Sequence, residues 1–296
     1  MSQLAQPGIS MVNRRPAPIA HMRYWQLGIL AALILWAYGP TLWHLAGQWK
    51  HDGDYTHGWI VPLFSAFVIW QDRNRLRGIV RKPSWSGLIL LALGLTILML
   101  GRMGAELFTA RASLLPVLGG IVVLFYGWDM FRAVLFPWAF LLLAIPLPVL
   151  IFSKITFPLQ LLASRVAAAV LPLFGVPVFR EGNVIHLASI NLNVAEACSG
   201  IRSLMSLLTL AIIYGFLLER RLWVRWLLAL AAVPIAVIAN SVRVISTGLI
   251  AEINPQNAEG YAHLSLGWAV FVVSLVLLYA LHALIRWLLP DRGGHS

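Results

Sequence analysis

Residues 222–248 read LWVRWLLALAAVPIAVIANSVRVISTG, an apolar run that contains only two charged residues, Arg225 and Arg243. A helix needs about 20 predominantly apolar residues to cross the hydrocarbon core of a bilayer, and this run is longer than that. It therefore predicts a transmembrane helix. Similar apolar runs predict seven further spans, near residues 24–43, 58–71, 85–101, 112–128, 131–150, 200–218 and 265–289.

The composition of the whole chain agrees with this prediction. The 296 residues are 60% hydrophobic and 11% charged, whereas a soluble domain is typically about 45–50% apolar and about 25% charged. These values exclude a soluble fold and favour one all-α polytopic membrane domain over residues 24–289, with about eight transmembrane helices. Residues 1–23 and 290–296 are predicted to be cytoplasmic tails.

Two segments between the apolar runs have a different character. The apolar stretch from Lys154 to Gly175 is interrupted by polar residues and flanked by prolines, which predicts an interfacial or re-entrant helix. Residues 176–195 alternate β-branched with polar side chains, which predicts a small outward-facing β-hairpin. With the N-terminus inside, the basic clusters at residues 73–82 and 220–225 then both face the cytoplasm of a bacterial inner membrane, as the positive-inside rule requires.

Charge and cysteine content exclude several kinds of partner. The net charge is +11, but basic residues of membrane proteins collect in cytoplasmic loops, so no nucleic-acid partner is expected. The single cysteine, Cys198, makes an internal disulfide impossible and cannot by itself build a tetrahedral metal site. No His, Cys and acidic set has ligand spacing, and no P-loop or dinucleotide fingerprint occurs, so neither a metal nor a cofactor is predicted.

Three reactive residue types are predicted to share the outer face of the membrane. Cys198 precedes the span at 200–218, Arg243 lies near the outer end of its span, and His263 lies at the outer start of the last span. A thiolate is the attacking species in cysteine chemistry, and a helix N-terminus or a nearby cation favours the anion. Each residue also has a simpler interpretation: a small buried hydrophobe, a snorkelling cation and a solvated interfacial imidazole.

Other polar residues of the outer layer are candidates for supporting roles. His57 either binds substrate, replaces His263 as the base, or is a wet interfacial histidine. Glu196 either orients an imidazole or keeps the hairpin soluble. Asn240 and Ser241 lie close to Arg243 in the sequence and hydrogen-bond either to substrate or across helices, as ordinary polar packing residues do.

The stretches that carry these residues resemble the exosortase/archaeosortase family of polytopic cysteine peptidases. They are AEACSGIRSL around Cys198, NSVRVISTG around Arg243, AHLSLGW around His263 and DYTHGWIVP around His57. The resemblance covers most of the chain. It implies that Cys198 is the nucleophile, Arg243 a transition-state or substrate-carboxyl partner, and His263 the acid and base.

The resemblance also implies a class of substrate. Such enzymes act on exported proteins that end in a sorting tail (PEP-CTERM), which combines a short Pro-Glu-Pro-type motif, a transmembrane helix and a basic cluster. Association with exopolysaccharide production in Gram-negative bacteria is implied as well, with membrane lipids as surroundings.

A different class of function remains open on the residues alone. A transporter or a polysaccharide-export component would use Arg243 and the outer histidines to bind an anionic or glycan substrate, with Cys198 merely packed. The chain shows no paired broken helices in corresponding halves, which an inverted-repeat carrier would have.

Overall fold

A computed structural model describes residues 24–194, 200–254 and 261–289. Residues 1–40 and 41–296 form two separate units, and the candidate site and the cavities discussed below lie in the second. The described chain is mostly helical. Its α-helices are α1 (Tyr24–His51), α2 (Ile60–Gln71), α3 (Arg73–Arg77), α4 (Ser86–Met103), α5 (Leu107–Ala112), α6 (Leu114–Tyr126), α7 (Trp128–Ala133), α8 (Leu135–Phe140), α9 (Val149–Val170), α10 (Gly200–Leu218), α11 (Leu222–Ile253) and α12 (Tyr261–Leu288).

Three short 3₁₀ helices and one small sheet complete the described elements. The 3₁₀ helices are Gly53–Trp59, Leu141–Ala144 and Leu171–Phe174. The strands are β1 (Phe179–Glu181), β2 (Val184–His186) and β3 (Asn191–Asn193).

Six helical segments within the described residues are long and apolar enough to cross a membrane. The protein is therefore a multi-pass membrane protein, as the composition predicts. The predicted count of eight spans is not confirmed. Three predicted spans, at residues 58–71, 131–150 and 200–218, correspond to the shorter helices Ile60–Gln71, Leu135–Ala144 and Ser203–Leu218, whereas one of the six segments, Val149–Phe174, was not predicted to span. The six segments are Gly28–His51, Ser86–Met103, Leu107–Tyr126, Val149–Phe174, Leu222–Ile253 and Ser265–Leu288.

Helix α4 packs closely against α5 and α6 because glycines form a stripe along one of its faces. Gly87, Gly94 and Gly101 are seven residues apart, about two helical turns. A Cβ at Gly94 would lie 2.9 Å from the Val117 backbone nitrogen, and one at Gly101 would lie 2.6 Å from that of Ala110. Small residues allow such backbone approach between membrane helices, where van der Waals packing supplies much of the association energy.

The predicted span at residues 131–150 is broken rather than continuous. Its sequence contains Pro137, Pro146 and Pro148, which lack the N–H that a continuing helix needs. The break exposes backbone carbonyl groups that require donors in apolar surroundings. Side chains near the first 3₁₀ helix supply them, since Trp49 Nε1 donates to the Ala144 carbonyl over 2.9 Å.

The prediction of an interfacial helix at Lys154–Gly175 is not confirmed. Helix α9 and the 3₁₀ helix after it form a continuous segment, Val149–Phe174, with the length and hydropathy of a membrane span. The polar residues taken as interruptions lie where the helix meets the sheet. Ser164 Oγ donates to the carbonyls of Leu161 and Gly182, and Asn183 Nδ2 donates to Gln160 Oε1.

The predicted hairpin is a three-stranded antiparallel sheet. Strand β2 pairs with β1 as predicted, with Glu181 opposite Val184 around the glycine turn, but it also pairs with β3 through Ile185 and Leu192. The alternation that predicts the hairpin continues into β3, where Leu192 is buried between the asparagines on either side. The sheet joins α9 and α11 in one apolar cluster that includes Ala163, Ile185, Leu192, Val194 and Val244.

Helices α10, α11 and α12 are tied together at one end by a buried polar network. Glu219 is 5% exposed and accepts hydrogen bonds from the backbone N–H groups of Arg220 and Arg221. His282 Nε2 lies 3.2 Å from its carboxylate, and the Tyr214 hydroxyl lies 2.7 Å from His282 Nδ1. Burial raises the pKa of Glu219, but the hydrogen bonds from Arg221, His282 and Arg220 together outweigh it and lower the pKa to about 2.

Candidate active site

The structure describes only part of the predicted catalytic set. Cys198 and Glu196 lie outside the described residues. His263 is placed by its backbone in the first turn of α12, and its side chain also lies outside the described part. The described residues that border residues 195–199, and those that follow His263, are placed relative to α11.

The residue that follows the Cys198 segment, Gly200, lies opposite the polar part of α11. Helices α10 and α11 are antiparallel, with Gly215 against Arg225: a Cβ at Gly215 would lie 3.4 Å from Arg225 Cα. Gly200 is fifteen residues before Gly215, and Asn240 is fifteen residues after Arg225, so this register sets Gly200 opposite Asn240. Leu204 and Asn240 accordingly line the same cleft.

The residue that precedes the Cys198 segment leads to the same place. Val194 is fully buried in the apolar cluster that also contains Val244, the residue after Arg243. Its N–H donates to the Asn183 carbonyl over 3.0 Å, which holds the end of β3 in the sheet. Both borders of the segment therefore meet the stretch of α11 from Asn240 to Val244.

Arg243 is brought to the helix that carries His263. It is buried, at 9% exposed, and its guanidinium lies against Gly267 of α12. A Cβ at Gly267 would lie 3.2 Å from Arg243 Nη2 and 3.3 Å from Cζ, so only a glycine leaves room for the guanidinium where it lies. Gly267 follows His263 by four residues, one helical turn, and positions four apart are neighbours on a helix surface.

Two side chains that flank Arg243 on the buried stripe of α11 each carry a polar atom without a hydrogen-bond partner among the described residues. The atoms are Asn240 Oδ1 and Thr247 Oγ1, on side chains 6% and 2% exposed. Such atoms are rare in folded proteins, because each costs roughly 1–3 kcal/mol of desolvation. Thr247 was not found by sequence reasoning, although its spacing from Asn240 and Arg243 is helical.

Ser241 has a local role within its own helix. Its hydroxyl donates to the Val237 carbonyl over 2.9 Å, which is the usual hydrogen bond of a helical serine to the carbonyl four residues earlier. The serine is buried, so this bond satisfies its donor without a second helix. Of the two predicted supporting residues on α11, Asn240 is thus the one with an unused acceptor.

The structure does not bring His57 to Arg243. His57 is 4% exposed, and its Nε2 lies 3.2 Å from the Leu143 carbonyl, to which it donates. Burial lowers the pKa of His57, and its hydrogen bond to Leu143 opposes this only in part, so the imidazole is neutral at pH 7. The interpretation as a wet interfacial histidine is wrong, because the side chain is buried and supports the break before α9.

The neighbour of His57 in the same 3₁₀ helix is buried too. Burial, together with the charges of Asp52 and Asp54, raises the pKa of Tyr55 to about 12, so the phenol stays protonated. Its ring packs against Phe152 of α9, with the ring centroids 6.4 Å apart. The 3₁₀ helix Gly53–Trp59 thus packs against α10, the broken segment and Phe152 of α9.

Comparison with known proteins gives the family. Within the described residues no group of three or more His, Cys, Asp or Glu side chains is arranged to hold a metal ion. No curated protein and no solved structure matches the chain significantly. The family model described as transmembrane exosortase matches residues 49–280, which include the four stretches that carry the resemblance. The chain therefore belongs to the transmembrane exosortase family.

Proposed function

We propose that this protein is a membrane-embedded cysteine transpeptidase that removes the C-terminal sorting tail of exported proteins. Cys198 is the nucleophile, Arg243 stabilises the oxyanion, and His263 handles the proton. The observation that carries the proposal is the position of the Arg243 guanidinium. It lies against Gly267, one turn after His263, and on the stretch of α11 that the borders of the Cys198 segment meet.

The reaction follows from the three groups. The Cys198 thiolate attacks a peptide carbonyl carbon, and the electron pair of the C=O bond moves to oxygen. Arg243 offers planar N–H donors to that oxyanion, a contribution of about 3–4 kcal/mol when a single donor is removed in other acyl-transfer enzymes. The C–N bond then breaks, His263 gives its proton to the leaving amine, and the product is a thioester on Cys198. A second nucleophile displaces the thiolate and releases the sorted protein.

The supporting residues take narrower roles. Asn240 accepts a hydrogen bond from a substrate N–H, because its buried Oδ1 has no partner among the described residues. Ser241 holds the local helix, and Glu196 orients the imidazole of His263. His57 maintains the fold of the broken segment rather than touching substrate.

The proposal places the active site on the periplasmic side of the bacterial inner membrane, with both termini in the cytoplasm. The positive-inside rule favours a cytoplasmic position for both basic clusters, residues 73–82 and 220–225. Because Val149–Phe174 has the length of a further span, this orientation requires that the broken segment Leu135–Ala144 does not cross the bilayer completely. The substrate tail enters laterally from the bilayer, because its hydrophobic helix must stay in lipid while its motif reaches the site. A role in exopolysaccharide production belongs to the same proposal.

The deciding experiment is to trap the acyl-enzyme. The full-length protein is incubated with a tailed substrate, quenched in acid and digested, and the Cys198 peptide is analysed by mass spectrometry. We expect a substrate fragment in thioester linkage on Cys198 and none in Cys198→Ala. Full processing by Cys198→Ala at normal protein levels would contradict the nucleophile assignment.

Arg243→Lys tests the oxyanion role. An ammonium does not match the planar set of donors of a guanidinium, so we expect at least a 100-fold loss of processing with normal membrane insertion. Processing at the wild-type rate would reduce Arg243 to a packing residue.

A further inference from the structure

A second cavity lies away from the candidate active site, near the N-terminal end of α11. It is a groove of about 930 Å³ between the segment Leu135–Ala144, α10 and the first turns of α11. Its walls are almost entirely apolar side chains, and Ala139 and Ala229 leave room between them. Leu222 and Trp226 on its rim are 67% and 70% exposed, so the groove opens sideways, where a membrane protein meets lipid.

One charged side chain, Arg225, stands among the described residues that line this groove. It is held from two sides, since its Nε donates to the Glu219 carbonyl over 2.7 Å and its Cζ lies 5.0 Å from the centre of the Phe216 ring. Phe216 in turn stacks on Phe136 across the groove, with ring centroids 4.7 Å apart. The Nη groups of Arg225 make no hydrogen bond to the described residues, so a fixed guanidinium offers donors at an apolar groove.

We infer that this groove binds an anionic phospholipid of the cytoplasmic leaflet, with its phosphate on Arg225 and an acyl chain against the aromatic wall. Guanidinium groups bind phosphate through paired, charge-assisted hydrogen bonds. The exposed Arg220 adds positive charge beside the groove, whereas the charge of Arg221 is paired with the Glu219 carboxylate. Basic residues near the cytoplasmic leaflet attract its anionic lipids. The inference goes beyond the proposed function; it rests on the orientation proposed there and not on the proposed chemistry.

Size argues against a substrate helix as the occupant. An α-helix with its side chains is about 10 Å across, so the 930 Å³, which includes the open space at the mouth of the groove, holds at most about 12 Å of it, roughly two turns. A spanning helix needs about 30 Å. Acyl chains are thinner and flexible. Because lipid tails are as apolar as the wall, the choice between anionic and zwitterionic lipid rests on the phosphate and Arg225, while the acyl chain in the groove retains the lipid in detergent.

The test is native mass spectrometry of the full-length protein in detergent with equal amounts of phosphatidylglycerol and phosphatidylcholine that carry identical acyl chains. The wild type should retain the anionic lipid about fivefold more than the zwitterionic one, the factor that corresponds to roughly 1 kcal/mol per basic residue near an anionic surface. Arg225→Gln should bring the ratio to about one. Arg77→Gln, an exposed arginine of the other basic cluster, should leave it unchanged.

Two further measurements distinguish lipid binding in the groove from binding of a phosphate group alone. Ala229→Leu fills the groove and should lower the retention of both lipids, while a large excess of glycerol phosphate should not displace the bound lipid. Displacement by glycerol phosphate, an unchanged ratio in Arg225→Gln, or an equal loss in Arg77→Gln would each overturn the inference. Cys198→Ala should retain the lipid, so failure of the proposed enzymatic function leaves this result intact.

Discussion

Replacing Gly267 by alanine should impair catalysis without destabilising the protein. The added Cβ would lie 3.2 Å from Arg243 Nη2 and 3.3 Å from Cζ, whereas carbon contacts are most favourable at about 3.5–4.0 Å. The guanidinium must therefore move by a few tenths of an ångström. Misplacing a catalytic group by about 1 Å can cost about 100-fold in rate, so we expect roughly a fivefold loss.

The thermal stability of Gly267→Ala should stay the same or rise, although its activity falls. Alanine is favoured over glycine in a helix interior by about 0.8–1 kcal/mol, so Gly267→Ala should melt at or above the wild-type temperature. Gly267→Leu should reduce processing at least 100-fold, because a larger side chain must displace the guanidinium further. Gly47→Ala is the matched control: it makes the same exchange within a helix, and a Cβ there meets nothing within 4 Å.

The assay is the conversion of a tailed reporter protein in cells, followed by its change in mass, with thermal unfolding of the purified variants beside it. Processing by Gly267→Ala within twofold of the wild type would refute the placement of Arg243 against α12. A loss of processing that tracks a fall in melting temperature would also refute it, because it would indicate general misfolding.

Three further predictions concern stability, each measured by thermal unfolding of the purified protein. His57→Ala should destabilise it by roughly 1–3 kcal/mol, because the Leu143 carbonyl loses its donor. Burial lowers the pKa of His57, so the unfolded chain binds more protons at this residue than the folded protein does. The free energy of unfolding should therefore fall as the pH drops below about 6.5, and His57→Gln should lack this pH dependence. Glu219→Ala should lower the free energy of unfolding by about 3–5 kcal/mol, because His282 and Arg221 lose their carboxylate partner. In the wild type the stabilisation by ionised Glu219 is complete above pH 4.5 and is lost as the pH falls towards 2. Gly87→Ala should cost roughly 3 kcal/mol, because its Cβ would overlap the Leu124 backbone nitrogen, and full stability of this variant would contradict the close packing of α4 on α6.

Sequence patterns predicted the class of fold because transmembrane helices depend on local composition. The run at 222–248 needs no tertiary information to be recognised as a span. Prediction and structure differ in the segments whose conformation depends on tertiary contacts. Ser164 and Gln160 suggested an interfacial helix, but the sheet supplies their partners. The break at 131–150 depends on donors such as Trp49, which lies far away in the sequence.

The candidate site was predictable in its residue types and not in its geometry. Arg243 is conspicuous because arginine is costly in an apolar run. Gly267 gives no such signal, since a glycine in a membrane helix is ordinary until its neighbour across the interface is known. The structure places Gly267 against Arg243, shows Thr247 Oγ1 buried without a partner among the described residues, and gives His57 a hydrogen bond to the Leu143 carbonyl.

The two polar ends of α11 differ in a way that separates structure from function. At its N-terminal end, Glu219, His282 and Tyr214 satisfy one another, which is the condition for a buried network that stabilises a fold. Near its C-terminal end, Asn240 Oδ1 and Thr247 Oγ1 are equally buried yet have no partner among the described residues. Among the described residues nothing compensates the desolvation of these two atoms. Asn240 and Thr247 flank Arg243. A bound peptide that donated N–H groups to Asn240 Oδ1 and Thr247 Oγ1 would form hydrogen bonds that the described residues do not supply.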